Sequence, residues 1–172
     1  ALSQTSSYTY DSRGNVLTVT DPAGKTTTNT YDSHNNLLTT TDPLSHGTTF
    51  TYDSSNNLLT STDALSHTTT WTYDANSLPL TKTLPGGGVY HYTYTAGQLT
   101  QVSDPNSVVT NFSYDANGLL LYQEDALGKR TTYTYDAIGN VLTVTDALSH
   151  VTTYTYDHRG RMTSVADPTG EV

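Results

Sequence analysis

Imidazoles, carboxylates and aromatic rings recur through this sequence at fixed intervals, and each series carries its own candidate chemistry. His46, His67 and His150 all stand in Leu-Ser-His segments. Imidazoles on adjacent strands can share a metal ion. Metal motifs, however, combine several ligands at fixed local spacing, and the equivalent segments ending at Lys25 and Lys129 carry lysine instead. Interchange with lysine marks a solvated turn position, while His34, His91 and His158 fall at unrelated places in the pattern. Aspartates form two rows, one of Asp11, Asp32, Asp53 and their copies, the other of Asp21, Asp42, Asp63, Asp104, Asp125, Asp146 and Asp167. Calcium favours oxygen ligands, but its loops place acids at nearly every second residue; here they stand about ten residues apart. Acid–base work by paired carboxylates needs environments that split their pKa values, and a row of equivalent acids offers no such asymmetry. Turn capping, with each Asp side chain accepting from a backbone N–H two residues on, accounts for both rows. No catalytic residue, metal site or cofactor is expected, and the chain reads as a non-enzyme.

The aromatic series is the more open case. Tyr10, Tyr31, Tyr52, Tyr73, Tyr94, Tyr114, Tyr135 and Tyr156 recur about every 21 residues, each followed by Asp except Tyr94, which precedes Thr95. A second ring lies two residues earlier at Tyr8, Phe50, Trp71, Tyr92, Phe112, Tyr133 or Tyr154. Alternation along a strand points both rings to one face. Exposed rings stack against sugars, which makes Trp71, Tyr92, Tyr133 and Tyr154 candidate carbohydrate contacts; the same rings equally fill a shell interior or the space between packed sheets. Both readings stand. Asn111-Phe112-Ser113 is a lone sequon, so Asn111 is a candidate glycosylation site. Thr clusters such as 26–28, 39–41 and 68–70 are candidates for O-linked sugars, although Thr also simply suits exposed strand faces.

These residues must be positioned by repeated elements, because a period of about 21 residues belongs to arrays rather than globular cores. Each unit holds two candidate strands: the first at 15–20, 36–41, 57–62 and 140–145, the second at 26–31, 48–52, 68–73 and 131–135. β-Branched and aromatic residues dominate both, and Gly, Asn, Asp and Pro separate them, which is the signature of hairpins. Gly14, Gly24, Gly118, Gly128, Gly139 and Gly160 supply the positive φ of tight turns. The position five before the second turn Asp is apolar in every copy: Val16, Leu37, Leu58, Pro79, Leu99, Leu120, Val141 and Met162. Stacked in register, these side chains shade one another as no single unit could. The rhythm breaks at 79–97, where Leu84 replaces the turn Asp, Gly86-Gly87-Gly88 appears and the next interval loses a residue. A bulge, a corner or changed curvature is expected there. The fold class is thus all-β: antiparallel hairpin repeats in one continuous curved or spiralling sheet. Residues 1–172 form a single array of eight repeats, a piece of a longer repeat protein.

Composition agrees. Cysteine is absent, so neither disulfides nor thiolate metal sites hold the chain. Hydrophobic residues make up only 34%, yet 14 Tyr and 36 Thr bias the chain toward pleated, half-buried surface instead of disorder. Seven Lys and Arg oppose 16 Asp and Glu, and the net charge of −9 repels phosphate backbones and anionic membranes. No nucleic-acid partner is expected. No apolar run nears the roughly 20 residues that span a bilayer, so no membrane insertion is expected either.

The unit from Asp11 through Gly14-Asn15-Val16-Leu17 and Asp21-Pro22-Ala23-Gly24 to Tyr31-Asp32 resembles the YD repeat of the RHS family, found in bacterial RHS proteins and teneurin-like surface proteins. That pattern reads Tyr-Asp, two residues, Gly-Arg-Leu, then Asp-Pro-x-Gly. It returns at Gly139-Asn140-Val141-Leu142 with Asp146, and at Gly160-Arg161-Met162 with Asp167-Pro168-Thr169-Gly170. This sequence departs from it at Asn15, Asn36, Asn57 and Asn140, which stand where the family has Arg, and at Asn35, Asn56 and Ser77, which stand where it has Gly. The resemblance implies a structural scaffold, secreted or at a cell surface and bacterial, in which many more repeats spiral into a hollow shell around a toxin domain. It also implies adhesion roles, with cell-surface glycans as partners. Near-identical repeats raise an alternative, an extracellular fibre in which unpaired edge strands pair with further copies.

Overall fold

The structure, a computed structural model, describes residues 5–170. It is all-β, with sixteen antiparallel strands joined by hairpins into one sheet whose order follows the chain. The strands are β1 (Ser7–Tyr10), β2 (Val16–Thr20), β3 (Thr26–Tyr31), β4 (Leu37–Thr41), β5 (Gly47–Tyr52), β6 (Leu58–Thr62), β7 (Thr68–Tyr73) and β8 (Pro79–Thr83), then β9 (Val89–Thr95), β10 (Gln98–Ser103), β11 (Val109–Tyr114), β12 (Leu120–Glu124), β13 (Arg130–Tyr135), β14 (Val141–Thr145), β15 (Val151–Tyr156) and β16 (Met162–Ala166). The predicted strands fall on these within one residue at either end. Contacts divide the chain into two compact units, Ala1–Val89 and Tyr90–Val172.

In the first unit the pairing Thr18↔Thr28, Thr28↔Thr41, Thr39↔Thr49, Thr49↔Thr62 and Thr60↔Thr70 sets one face. Within the strands that face is threonine at every position but Ser7 and Gly47. Its hydroxyls bond in cross-strand pairs: Thr9 with Thr18 at 2.6 Å, Thr30 with Thr39, Thr51 with Thr60 and Thr72 with Thr81 each at 2.7 Å. β-Branched neighbours fit the pleat, and each hydroxyl finds its partner without a water or a charge. The opposite face carries the rings and aliphatics, with Phe50 paired to Ser61, Trp71 to Lys82 and Tyr8 to Val19.

Every repeat Tyr sits at a β-bulge. Thr9 pairs Thr18 but Tyr10 pairs Val16, so Leu17 is the extra residue, and the same skip recurs at Tyr31, Tyr52 and Tyr73. The second unit repeats the device at Tyr94, Tyr114, Tyr135 and Tyr156. A bulge adds local twist and leaves one backbone group off the hydrogen-bond ladder.

The turns share one construction. In the first, Gly14 N–H donates to Asp11 O at 3.1 Å and Asp11 N–H to Asn15 O at 2.9 Å, a type I turn closed by one residue at positive φ. Gly14 takes that place at φ 88°, yet Asn35, Asn56, Ser66 and Ser77 hold it at 64–70°. Two turns depart. At Leu84 both backbone bonds survive at 2.8 Å without a carboxylate. At Ala96-Gly97 two residues at φ 51° and 81° make the tighter two-residue hairpin, which absorbs the missing residue while Leu99↔Tyr94 and Gln101↔Thr93 keep the bulge.

No described residue is buried. Rings and aliphatics shade each other to half burial and no further, as expected of a sheet one layer thick. The apolar series weakens at its last member, since Met162 is 58% exposed.

Candidate functional site

The Tyr-Asp turns form a hydrogen-bonded rim. Asp11 Oδ1 accepts from the backbone N–H groups of Arg13 (2.8 Å) and Asn15 (2.9 Å), and its Oδ2 from Asn15 Nδ2 (2.9 Å). Asp32, Asp53 and Asp136 repeat all three contacts with Asn36, Asn57 and Asn140 as the amides. In the last repeat Arg161 Nε makes the equivalent bond to Asp157 at 2.8 Å. Donation from the Asn side chain, foremost, and from backbone N–H groups holds the Asp11, Asp32, Asp53 and Asp136 carboxyls below the usual aspartate value. The tyrosines tie one repeat to the last: Tyr31 OH donates to Val16 O, Tyr52 to Leu37 O, Tyr73 to Leu58 O and Tyr135 to Leu120 O, all at 2.9–3.0 Å. Each accepting carbonyl belongs to the residue paired with the preceding repeat's Tyr at its bulge, so the ring serves a backbone group at the irregularity.

Neighbouring turns are also joined directly. Asn15 Nδ2 donates to Asn35 Oδ1 and Asn36 Nδ2 to Asn56 Oδ1, both at 2.8 Å, and Asn57 Nδ2 to Ser77 Oγ at 3.0 Å. The residue at positive φ is therefore the acceptor for the amide one repeat earlier. Replacing Gly there strains the backbone slightly and gains a bond. Asn56→Ala is expected to lose about 1–2 kcal/mol, since it keeps the left-handed φ and forfeits the acceptor, whereas Asn56→Gly stays near neutral; urea titration of both variants measures the difference.

At the other rim the histidines each pair with their own turn's carboxylate: His46 Nδ1 with Asp42 at 2.9 Å, His67 with Asp63 at 3.0 Å and His150 with Asp146 at 2.9 Å. No cluster of three or more His, Asp or Glu able to hold a metal occurs among the described residues. Beside them, at turn tips, Leu44, Leu65, Leu127 and Leu148 are 72–80% exposed.

The named candidates lie on strands. Trp71 is half-buried in β7, with Lys82 Nζ 5.9 Å from its ring centroid. In the second unit Tyr92, Tyr133 and Tyr154 pair with Val102, Val144 and Val165. Asn111 sits within β11, half-buried, its Oδ1 accepting from Gln101 Nε2 at 3.0 Å. Of these residues Tyr133 lines a cleft of about 570 Å³, together with Tyr135, Leu121, Asp115, Asn117 and Ile138. Burial, then the nearby Tyr133 and the Asp115 carboxylate, raise the Tyr135 phenol above its usual value.

Residues 1–171 match the teneurin YD-shell family. The chain belongs to that family. Solved structures share the YD-shell fold at low identity. The TcdB2-TccC3-Cdc42 crystal structure is 16% identical over 94% of this chain with a TM-score of 0.60. TcdB2-TccC3 without its hypervariable C-terminal region is 17% identical over 94%, also at 0.60. The Photorhabdus luminescens Tc holotoxin pore carrying TccC3-D651A is 15% identical over 96%, at 0.50. This chain spans 13–15% of the length of those chains. No curated protein matches it.

For this YD-shell segment the pair that names the repeat has a clear division of labour, Asp closing the turn and Tyr bonding back to the previous repeat. Sequence reading found the turn role but missed the Tyr acceptor and the Asn15–Asn35 pairing. Paired replacement offered the available signal: Asn at the Arg position of one repeat precedes Asn or Ser at the Gly position of the next. Asn140 faces Gly160, a residue with no side chain to accept from it.

Proposed function

We propose that this segment is part of the wall of a larger YD-shell, one that encloses a toxin domain carried by the same chain in a bacterial, secreted protein. The single observation that carries this reading is the bare sheet. Sixteen chain-ordered strands hold no buried residue among those described, so the segment is one layer thick with two accessible faces, which is the form a wall takes. Its role is structural, and any catalysis belongs to what the wall surrounds. The Cdc42 named with TcdB2-TccC3 belongs to that structure and is not assigned to this chain.

Electron microscopy of the longer protein containing this segment tests the reading. Closed hollow particles with a wall one sheet thick, and an enclosed domain resistant to protease until the wall is breached, are expected. Continuous filaments, the form in which the edges of β1 and β16 pair with further copies, would replace the shell with the fibre.

A further inference from the structure

The cleft in the second unit lies at a turn that departs from the four carrying an Asn amide, a departure shared with the turn at Asp74, where Leu78 stands in the amide's place. Only the Asp115 turn adjoins the cleft that Tyr133 lines. In the turns at Asp11, Asp32, Asp53 and Asp136 both carboxylate oxygens are engaged, the second by an Asn amide. At Asp115 that amide is replaced by Leu119. Asp115 Oδ1 still closes its turn, accepting from Asn117 N–H (2.8 Å) and Leu119 N–H (2.9 Å), while Oδ2 has no protein donor among the described residues. The Asn117 side chain and the Tyr133 hydroxyl are likewise unengaged. These three groups line the same 570 Å³ cleft as the Tyr135 ring, Leu121 and the 76% exposed Ile138.

We propose that this cleft binds a neutral saccharide, with Tyr133 as the stacking ring and Asp115 and Asn117 as partners for adjacent sugar hydroxyls. A pyranose presents an apolar C–H face and a rim of groups that both donate and accept. The lining of the cleft offers both: aromatic and aliphatic surface from Tyr133, Tyr135, Leu121 and Ile138, and with it an acceptor carboxylate, an amide with both capacities and a phenol. A cationic ligand would use the carboxylate and the ring faces but leave the amide and phenol donors unspent. An acidic sugar would meet Asp115 and Asp136 on a chain of net charge −9. The site goes beyond the wall role and stands independently of it.

Saturation-transfer NMR on the 172-residue chain tests this. The probes are methyl glycosides of glucose, galactose and N-acetylglucosamine and their β-1,4-linked disaccharides, set against glucuronate and choline. Saturating the aromatic protons is expected to transfer to the C–H face of at least one neutral probe, with a Kd on the order of millimolar. Asp115→Asn keeps Oδ1 for the turn and should weaken binding about tenfold, the value of a hydrogen bond to a charged acceptor. Tyr133→Leu should abolish transfer, and Trp71→Phe, outside the cleft, should leave it unchanged. Should Tyr133→Leu disturb the sheet by circular dichroism, Asn117→Ala, an exposed side chain with no bond to lose, supplies the same test with a several-fold loss. No transfer to any neutral probe, transfer that survives the cleft substitutions, or a stronger response to choline or glucuronate overturns the proposal.

Discussion

Tyr52→Ala is expected to destabilise the first unit by about 2–3 kcal/mol, and Tyr52→Phe by about 1 kcal/mol, in urea titrations of the chain. The ring is half-buried, and half of an aromatic side chain is on the order of 100 Å², which at about 25 cal/mol per Å² gives most of the larger figure. The hydroxyl adds a net bond of about 1 kcal/mol to Leu37 O, and this is all that the Phe variant loses. Burial, and after it the Asp32 carboxylate, raise the Tyr52 phenol, so the group stays protonated and able to donate. Tyr10 is the internal comparison: it lies in β1, is 57% exposed, and its replacement by Ala should cost less than about 1 kcal/mol. Equal losses at Tyr10 and Tyr52 would show that the ring matters for strand propensity alone and that the bond between repeats carries no weight.

The difference between those two tyrosines marks the limit of what the sequence discloses. Strand positions were legible because β-branched runs such as Thr68–Tyr73 alternate between turn signals, and local chemistry decides both. The side-chain turn bond at Asp11 was legible for the same reason. The Tyr and Asn bonds between repeats escaped because their partners lie 15 and 20 residues away. The bulge at Tyr31, where Leu37 lies opposite and Leu38 is extra, leaves no mark in the composition of either strand. The six glycines expected at positive φ adopt it, but Ser45, Ser66 and Ser149 do so as well, because an Asp held by two backbone N–H groups stabilises the turn enough to carry a serine there. The irregularity at 79–97 was visible as a lost residue, but its resolution into the two-residue turn at Ala96-Gly97 requires knowing that the strands on either side keep register. The cleft was hidden in plain view: Leu119 looks like a conservative hydrophobic position until Asn15, Asn36, Asn57 and Asn140 show what that place does elsewhere.

A sheet with no buried residue among those described has little reserve beyond its repeated local bonds, so stability should follow the state of its carboxylates. Acidification below about pH 4 is expected to unfold the array, with the melting temperature falling steeply through that range and flat between it and about pH 10. Asp11, Asp32, Asp42, Asp53, Asp63, Asp136, Asp146 and Asp157 all titrate below the usual aspartate value. Asn amides are the leading cause at Asp11, Asp32, Asp53 and Asp136. Backbone N–H groups lead at Asp42, Asp63 and Asp146, from His46, His67 and His150, and at Asp157, from Arg161. A carboxyl lowered in the folded state binds fewer protons there than in the unfolded chain, so its stabilisation is present above the ordinary value near 4 and lost as pH falls through the folded one. The raised phenols of Tyr52, Tyr73 and Tyr135 act at the opposite limit. There the folded state keeps its proton longer, and stability declines as pH rises above about 10. Net charge opposes the acid limb only at its start: with the six His protonated the charge of −9 becomes −3, and protonating all 16 acids carries it through zero to the +13 of 7 Lys and Arg with six His, where repulsion adds to the loss. Repulsion of either sign acts between exposed charges and is screened within about 8 Å at physiological salt, while the turn bonds lie at contact distance. At that salt concentration the bonds decide the sign. A melting temperature that rose on acidification would show that charge repulsion, and not the turn carboxylates, governs the fold. Asn57→Leu, which removes the leading donor to Asp53, should narrow the acid response, linking it to a named bond.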